Sequence, residues 1–356
     1  MWQGVLGHDR VVDQFRRALQ RGRLGSGFLF VGPSGIGKRL FARRLAQALL
    51  CSTAGEAALA PCGVCESCIQ AASGSHPDII EVAKPADRSF IPLELLIGDK
   101  EHRGRQGLCY ELSLRPFFGR RKVAVIDDAD ALNAEGANSL LKTLEEPPPG
   151  AVLILISASP ARQLPTIRSR CQMVHFFPLS PQEVQSILLD RGLVDDKPTA
   201  ERIAALCEGS VERALELNDP RVWEFRRSWA EGLSAARIDS VEWAGRIGQF
   251  VDAAGKEAAA RRGCLRQVIG FASDYYRGLL RAAHETTALP AAVGVDRHWQ
   301  DAVAKGVAEA RAAFGDVWID KTARRLDLCL AAREALERNA NQTTLIEAWL
   351  DGLADC

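Results

Sequence analysis

A glycine-rich octapeptide, GPSGIGKR at residues 32–39, follows an apolar run and precedes a helical pattern. It matches the phosphate-loop pattern G-x-x-x-x-G-K-[ST] through Gly32, Gly37 and Lys38. These glycines, with Gly35 between them, let backbone N–H groups face a phosphate, and Lys38 would reach the terminal phosphates of a nucleotide. A strand, such a loop and a helix in succession predict an α/β fold of the P-loop type.

The last position of the motif departs from the pattern. Arg39 stands where a hydroxyl would ligate Mg²⁺, and a guanidinium is always cationic and has no lone pair to offer a metal. The sequence therefore predicts a degenerate nucleotide site. Bound ATP or ADP remains compatible with the retained glycines, whereas bound Mg²⁺ is not expected. The sequence leaves open whether Arg39 pairs with a phosphate or with Asp127.

The segment VAVIDDAD places Asp127 and Asp128 at the end of a second apolar run. In P-loop ATPases the first of these carboxylates helps to bind Mg²⁺, and the next residue, usually Glu, polarises the attacking water. Asp128 is one methylene shorter than Glu, and a displacement of about 1 Å can lower a rate about 10²-fold. The alternative interpretation is that both aspartates cap the following helix.

Apolar strands alternate with helical patterns as far as residue 178, which predicts a parallel sheet covered by helices on both faces. No convincing strand follows residue 180, and the remaining patterns are helical. We therefore expect an α/β domain at 1–178, a small helical domain at 179–218 and an all-helical domain at 219–356. The predicted strands are residues 27–31, 78–82, 122–126, 151–156 and 173–177.

Four of the ten cysteines lie close together with the spacing C-x10-C-x2-C-x2-C. Four thiolates with C-x2-C steps are typical of a closed, tetrahedral structural zinc site. An iron–sulfur cluster and four unliganded thiols are the alternatives. A zinc knuckle here would fix the 51–68 insertion onto the α/β domain, and the sequence does not show whether it touches DNA. The predicted ligands are Cys51, Cys62, Cys65 and Cys68.

The chain of 356 residues has 45 Lys plus Arg and 45 Asp plus Glu, so its formal net charge is zero. Non-specific DNA affinity comes mainly from neutralising phosphates, so any DNA contact needs a local patch. Charges within the first ten residues and the lack of a following apolar segment predict no signal peptide and no membrane anchor, and we expect a cytoplasmic protein. The candidate patch is a cluster of basic residues near the N-terminus, formed by Arg16, Arg17, Arg21 and Arg23.

Seven segments resemble the bacterial clamp-loader subunits of DNA polymerase III, a family of AAA+ proteins. The resemblance is dense over residues 1–178, weaker to about 218 and thin beyond. It implies that the small helical domain is a lid and that the last domain forms an oligomerisation collar. The segments are GVLGHDRVVDQFRRAL, GFLFVGPSGIGKR, the four-cysteine insertion, SHPDI, VAVIDDAD, NSLLKTLEEPPPGAVLILIS and LPTIRSRCQ.

The resemblance also implies roles at matching positions. In the Ser-Arg-Cys motif, Arg170 corresponds to a finger that acts in trans on ATP bound by a neighbouring subunit. Ser157 corresponds to the sensor near the γ-phosphate. Glu212 falls where hydrolysing subunits carry a second sensor, an arginine, and an anion there would repel phosphate.

Two branches of the family share these motifs, the ATP-hydrolysing tau/gamma subunits and the delta-prime subunits. The departures at Arg39, Asp128 and Glu212 favour delta-prime, so we expect no intrinsic ATPase activity and keep tau/gamma as the alternative. The implied partners are the tau/gamma and delta subunits in a hetero-pentamer that is part of the polymerase III holoenzyme. Through that complex, the sliding clamp and primer-template DNA are implied partners as well.

Overall fold

The structure is a computed structural model that describes residues 2–85, 87–118, 121–235, 237–255, 258–284, 297–338 and 340–356. The chain divides into two compact units. The first comprises Met1–Arg191 and Cys207–Arg213, and the second comprises Gly192–Leu206 and Ala214–Cys356. The predicted three-domain division stays a prediction.

One sheet of five strands forms the first unit, with the bounds β1 Gly27–Val31, β2 Ile79–Val82, β3 Lys122–Ile126, β4 Ala151–Ser157 and β5 Gln172–His175. The strand order is β2-β3-β4-β1-β5. All four neighbouring pairs are parallel. Every residue of β4 is buried, as expected for a central strand of a parallel sheet that is covered on both faces. The predicted α/β fold with a parallel sheet is confirmed.

Helices cover both faces of the sheet because successive side chains of a strand point to opposite sides. On one face, Phe28 packs against Phe15, with ring centroids 5.0 Å apart, and belongs to a core that includes Phe41. On the other face, Leu29 shares a core with Leu140. The carboxyl ends of β1, β3 and β4 meet at one edge, and this edge carries the phosphate loop and the aspartates that follow β3.

The helices run in chain order as α1 Asp9–Gln20, α2 Lys38–Leu50, α3 Glu66–Ser73, α4 Leu93–Ile97, α5 Leu108–Ser113, α6 Ala134–Glu145, α7 Pro165–Arg168, α8 Pro181–Asp190, α9 Lys197–Leu206, α10 Val211–Glu216, α11 Pro220–Leu233, α12 Ser240–Asp252, α13 Ala258–His284, α14 Arg297–Phe314, α15 Trp318–Glu337 and α16 Gln342–Asp355. Asn133 caps α6 by accepting a hydrogen bond from the Gly136 amide. Ser180 and Glu183 form a capping box at α8. Within the described ranges, no strand follows residue 180, as predicted.

Helical periodicity predicted most of these elements but misplaced some of their ends. The helical pattern of the sequence continues over residues 241–259, but the helix ends at Asp252, because Gly255 adopts a φ of 103° and the next helix begins at Ala258. The short helices α3, α4 and α5 were not predicted, since five to eight residues are too few to establish a period. In the part of the chain that the structure describes, no helix is long and apolar enough to cross a membrane.

Candidate functional site

The phosphate loop connects the end of β1 to the start of α2. Gly32, Gly35 and Gly37 have φ angles of 154°, 73° and 97°, which side chains other than glycine rarely adopt. A Cβ at Gly35 would overlap the Ser210 hydroxyl. The loop thus requires glycine for two reasons: its backbone has positive φ angles, and the segment at Ser210 packs closely against Gly35.

The Lys38 ammonium is bound by the loop itself. Its Nζ donates to the carbonyl oxygens of Gly32 and Pro33, both at 2.6 Å. The side chain is buried, and burial lowers the pKa of Lys38, although Asp130 and Asp127 oppose this shift. The loop carbonyls therefore give the amine two hydrogen-bond acceptors.

Arg39 pairs with protein carboxylates. Its guanidinium lies 3.2 Å from Asp127 Oδ2 and 3.4 Å from Glu81 Oε2. Arg43 binds the same Glu81 through Nε at 2.8 Å and a terminal nitrogen at 2.6 Å. Burial raises the pKa of Glu81, but the hydrogen bonds and charges of Arg43 and Arg39 together outweigh it, and the net shift is downward. Arg39 therefore pairs with Asp127, the carboxylate expected to bind Mg²⁺.

A cavity of about 460 Å³ lies beside the loop, and four carboxylates line it together with Lys38 and Arg39. Asp128 has a φ of 53° and makes no capping hydrogen bond with its side chain, contrary to the alternative that it caps the next helix. Burial, and then the neighbouring Asp127, raise the pKa of Asp128. The four carboxylates are Asp127, Asp128, Asp130 and Glu212.

The Ser157 hydroxyl at the end of β4 is enclosed by protein acceptors. It lies 2.5 Å from Asp130 Oδ1 and 2.8 Å from the Ser159 carbonyl oxygen. Asp130 also accepts hydrogen bonds from the Ala158 amide at 2.7 Å and the Gln163 side chain at 2.9 Å. Sequence reasoning missed Asp130, although it is the third aspartate of the DDAD segment.

Glu212 lies in the first turn of α10, next to the phosphate loop. The Val211 amide donates to the Gly35 carbonyl oxygen at 2.9 Å, which places the first turn of α10 against the loop. The neighbouring Arg213 instead forms an ion pair with Glu208 at 2.7 Å. An anion rather than a cation therefore lines the cavity from this side.

The four predicted zinc ligands come together. Their Sγ atoms all lie within 4.8 Å of one another, and the Cys51–Cys65 and Cys62–Cys68 pairs are 4.0 and 3.9 Å apart. Thiolates about 2.3 Å from a central zinc ion would be about 3.8 Å apart at the corners of a regular tetrahedron. The sulfur geometry therefore fits a metal site with four cysteine ligands.

Backbone amides also point at these sulfurs. The amides of Ala54 and Cys62 donate to Cys51 Sγ at 3.4 and 3.5 Å. Although burial opposes the shift, these bonds and one from Thr53 lower the pKa of Cys51 to about 5. The Cys65 side chain caps α3 by accepting a hydrogen bond from the Cys68 amide at 3.4 Å. The thiolate, the form that binds a metal, is therefore favoured at Cys51, whereas burial raises the pKa of Cys68 to about 12.

The insertion is tied to its surroundings by buried hydrogen bonds. Trp2 Nε1 donates to the Leu59 carbonyl oxygen at 2.7 Å, and Gln47 donates to that of Cys68 at 2.9 Å. The Ser67 hydroxyl donates to the Leu50 carbonyl oxygen at 2.7 Å. These contacts join the cysteine cluster to the N-terminal segment and to α2.

Arg170 follows α7 and is about one-third exposed. Its Nε donates to Glu145 Oε1 at 2.7 Å, and one terminal nitrogen donates to the Thr166 carbonyl oxygen and the Ser169 hydroxyl, both at 3.1 Å. Arg170 does not belong to the described lining of the cavity beside its own phosphate loop. The guanidinium is therefore oriented at the surface by the end of α6.

Comparison with known proteins gives matches to subunits of DNA polymerase III. A family model described as "DNA polymerase III, delta subunit" matches residues 7–180. The subunit delta' of DNA polymerase III from Pseudomonas aeruginosa is 38% identical over 207 residues, which cover 58% of this chain and 60% of that protein. The subunit delta' from Bacillus subtilis is 33% identical over 229 residues, or 64% of each chain.

The family model and the two delta' relatives support membership of the delta-prime family of DNA polymerase III clamp-loader subunits. The subunit tau from Escherichia coli is 32% identical over 222 residues, which cover 61% of this chain and 32% of that protein. This chain spans less than two thirds of the length of each of these three relatives.

The SHPDI segment contains two buried groups to which sequence reasoning assigned no role. His76 Nδ1 accepts a hydrogen bond from the Asp78 amide at 3.0 Å, so its Nε2–H donates to the Ser67 hydroxyl at 2.8 Å. The Asp78 carboxylate accepts from the amides of Phe117 and Phe118 at 2.7 and 2.8 Å. The sequence did contain a signal for Asp78, because a charged residue directly precedes an apolar strand there.

Proposed function

We propose that this chain is a non-hydrolysing subunit that helps a clamp loader place a sliding clamp on primer-template DNA. Its partners would be the tau/gamma and delta subunits in a hetero-pentamer. The observation that carries the proposal is Arg39, which occupies the magnesium-ligand position of the loop and pairs with Asp127 at 3.2 Å. The relatives named delta' support the same assignment.

The charges around the cavity argue against nucleotide hydrolysis. Both cations of the loop already have protein acceptors, since Lys38 binds loop carbonyls and Arg39 binds Asp127. The cavity also carries the carboxylates of Asp128 and Glu212. A polyphosphate would displace internal hydrogen bonds and then meet negative charge, without a hydroxyl to bring in Mg²⁺. We therefore propose that the chain has no ATPase activity of its own.

Arg170 is proposed to act on ATP held by a neighbouring subunit. A guanidinium suits this role because its planar fork can bind two phosphate oxygens at once. The ion pair with Glu145 is partly exposed, and such a pair is weak enough to be exchanged for a phosphate. The contacts to Thr166 and Ser169 would keep the side chain directed while its partner changes.

A zinc ion bound by the four cysteines is proposed to be structural. Four protein ligands leave no open position for catalysis. The bonds from Trp2, Gln47 and Ser67 support a role in fixing the insertion, because they link it to the surrounding domain. The proposal does not require the insertion to touch DNA.

The nucleotide site can be tested on the purified chain. Isothermal titration with ATP and Mg²⁺, followed by a turnover assay on the same sample, should give no Mg²⁺-dependent binding and no release of phosphate. Substitution Lys38→Ala should change neither result. Turnover that disappears in Lys38→Ala would overturn the assignment.

The arginine finger can be tested in the assembled loader. Arg170→Ala should lower DNA-stimulated ATPase by about 10³-fold or more, the range of fingers supplied in trans, while the subunits still assemble. The matched control is Arg168→Ala, an exposed arginine two residues earlier that should leave the rate near wild type. Equal rates in the two variants would remove Arg170 from the active site.

The second candidate is an ATP-hydrolysing subunit of the tau/gamma type. The retained strand–loop–helix with Lys38 favours it, as does the 32% identity to a tau subunit. A stepwise repair separates the two candidates. Arg39→Ser alone should not produce turnover, whereas Arg39→Ser with Asp128→Glu and Glu212→Arg should restore Mg²⁺-ATP binding. An active wild-type chain would favour the second candidate without any repair.

A further inference from the structure

A row of arginines runs along the exposed face of α1. At 100° per residue, Arg10, Arg17 and Arg21 fall within about 40° of one another and extend over about 16 Å. All three are exposed, whereas the opposite face buries Phe15 and Leu19 in the core. This basic stripe differs from the patch suggested by sequence proximity.

The stripe lacks Arg16 and Arg23 of that patch and includes Arg10 instead. Arg16 is left out because its guanidinium pairs with Asp13 at 2.6 Å. Arg10 belongs to the stripe, although six residues separate it from Arg17 in the sequence. Among the residues that the structure describes, no ion pair of Arg10, Arg17 or Arg21 is present. Three cations that face solvent in a chain of zero net charge form a local site for an anion.

The stripe ends at a cavity that contains an exposed aromatic ring. A cavity of about 390 Å³ is lined by His8, Arg10, His175, Phe177 and Glu183, among others. The Phe177 side chain is 66% exposed, so most of its surface is accessible to solvent. The cavity therefore offers a π-face beside the first arginine of the stripe.

The charges of the cavity itself limit what can enter. Glu183 is engaged, since its Oε2 accepts hydrogen bonds from the Ser180 amide at 2.7 Å and the Ser180 hydroxyl at 2.9 Å. His8 Nε2 lies 2.7 Å from the Ile36 carbonyl oxygen and donates to it, and burial lowers the pKa of His8. The cavity thus carries negative charge from Asp9 and Glu183 and no cationic imidazole at position 8. A neutral ring fits there better than a phosphate.

We propose that α1 and this cavity bind single-stranded nucleic acid. Phosphates of successive nucleotides lie along Arg10, Arg17 and Arg21, and one unstacked base lies on Phe177. The combination favours a single strand because duplex DNA presents phosphates but no free base face, whereas an acidic peptide presents charge but no ring to stack. This inference rests on the proposed function, because a clamp-loader subunit would meet DNA in the assembled complex.

The test measures fluorescence anisotropy of a labelled oligothymidylate of about twenty nucleotides with the purified, zinc-loaded chain. Arg10→Gln, Arg17→Gln and Arg21→Gln together should reduce the slope of log K against log salt by about 2, since each single-strand phosphate contact contributes about 0.7. The triple variant should also abolish most binding at low salt. A variant with lysine at the same three positions should retain most of the oligothymidylate binding, because it keeps the positive charges.

Phe177→Ala should weaken oligothymidylate binding about 5- to 100-fold, because stacking on one aromatic ring contributes that much per base. It should leave the salt slope unchanged. The matched control carries Arg103→Gln, Arg105→Gln and Arg115→Gln, three exposed arginines of the same unit, and alters net charge equally. Circular dichroism melting verifies that each variant is folded.

Several results would overturn the proposal. Equal losses in the control triple would mean that net charge alone matters. Tighter binding of a duplex of the same length, with no effect of Phe177→Ala, would exclude a stacked single strand. Failure here differs from failure of the proposed function, because the ATPase of the assembled loader with Arg170→Ala does not depend on these variants.

Discussion

The Asp78 carboxylate is the most tightly surrounded charge in the first unit, and its removal should loosen the sheet. It is fully buried, accepts two amide hydrogen bonds at 2.7 and 2.8 Å, and lies 3.4 Å from Lys122 Nζ. The Lys122 side chain is only 6% exposed. Asp78→Ala would leave a buried ammonium without its counter-charge and two amides without their acceptor.

The expected loss is about 3–5 kcal/mol, the range for removing one partner of a buried pair. Because a hydrogen bond to a charged group contributes about 1.5–3 kcal/mol, the two amide bonds alone would account for a loss of this size. At about 1.4 kcal/mol for each factor of ten, amides of β2 and β3 should exchange two to nearly four decades faster. Hydrogen–deuterium exchange followed by mass spectrometry measures these exchange rates segment by segment. A local measurement is needed because a chain with two units need not unfold in a single two-state transition.

A double-mutant cycle isolates the ion pair. Lys122→Met leaves Asp78 with its two amide donors and should cost less than Asp78→Ala. The double variant should be more stable than the sum of the single losses predicts, since no uncompensated charge remains. Strict additivity, or a loss below about 0.5 kcal/mol in Asp78→Ala, would refute the reasoning.

Three further outcomes follow from the described contacts. Cys62→Ser should lower bound zinc from one ion per chain to none by metal analysis, whereas Cys109→Ser, outside the cluster, should retain it; iron with visible absorbance would contradict a zinc site. Burial lowers the pKa of His76 below 6.5, so the unfolded chain binds more protons and stability should be complete above about pH 6.5 and fall below it. His76→Gln should flatten that acid slope in urea titrations. Gly35→Ala should destabilise the first unit by about 1–3 kcal/mol, more than Gly22→Ala, which has the same sign of φ and open space around it.

The sequence predicted the elements of the first unit well where apolar runs are continuous. Residues 27–31 and 122–126 are strands with the predicted ends, because buried parallel strands are apolar on both faces. The cysteine cluster was predicted equally well, since four ligands within eighteen residues need only local chain geometry. Strand order was beyond this reasoning, because it depends on crossovers that periodicity does not encode.

Side-chain pairing across the site was also beyond sequence reasoning. One partner of Arg39 is Glu81, which lies 42 positions later in the sequence, on β2. Asp130 was overlooked beside Asp127 and Asp128, yet it is the group that binds the Ser157 hydroxyl. Such pairs form only after the sheet brings the ends of β2, β3 and β4 together.

The retained phosphate loop does not require retained hydrolysis, because its residues have packing roles of their own. Gly35 allows the first turn of α10 to approach the loop, and the Lys38 ammonium joins two loop carbonyls. Replacing either residue would disturb the fold, whether or not a nucleotide binds. Arg39 is different, since it is about half exposed and pairs with Asp127 through its side chain. We infer that a substitution at position 39 can remove hydrolysis while the stability of the fold still requires glycine at position 35. A phosphate-loop motif can therefore be retained in a chain that does not hydrolyse a nucleotide.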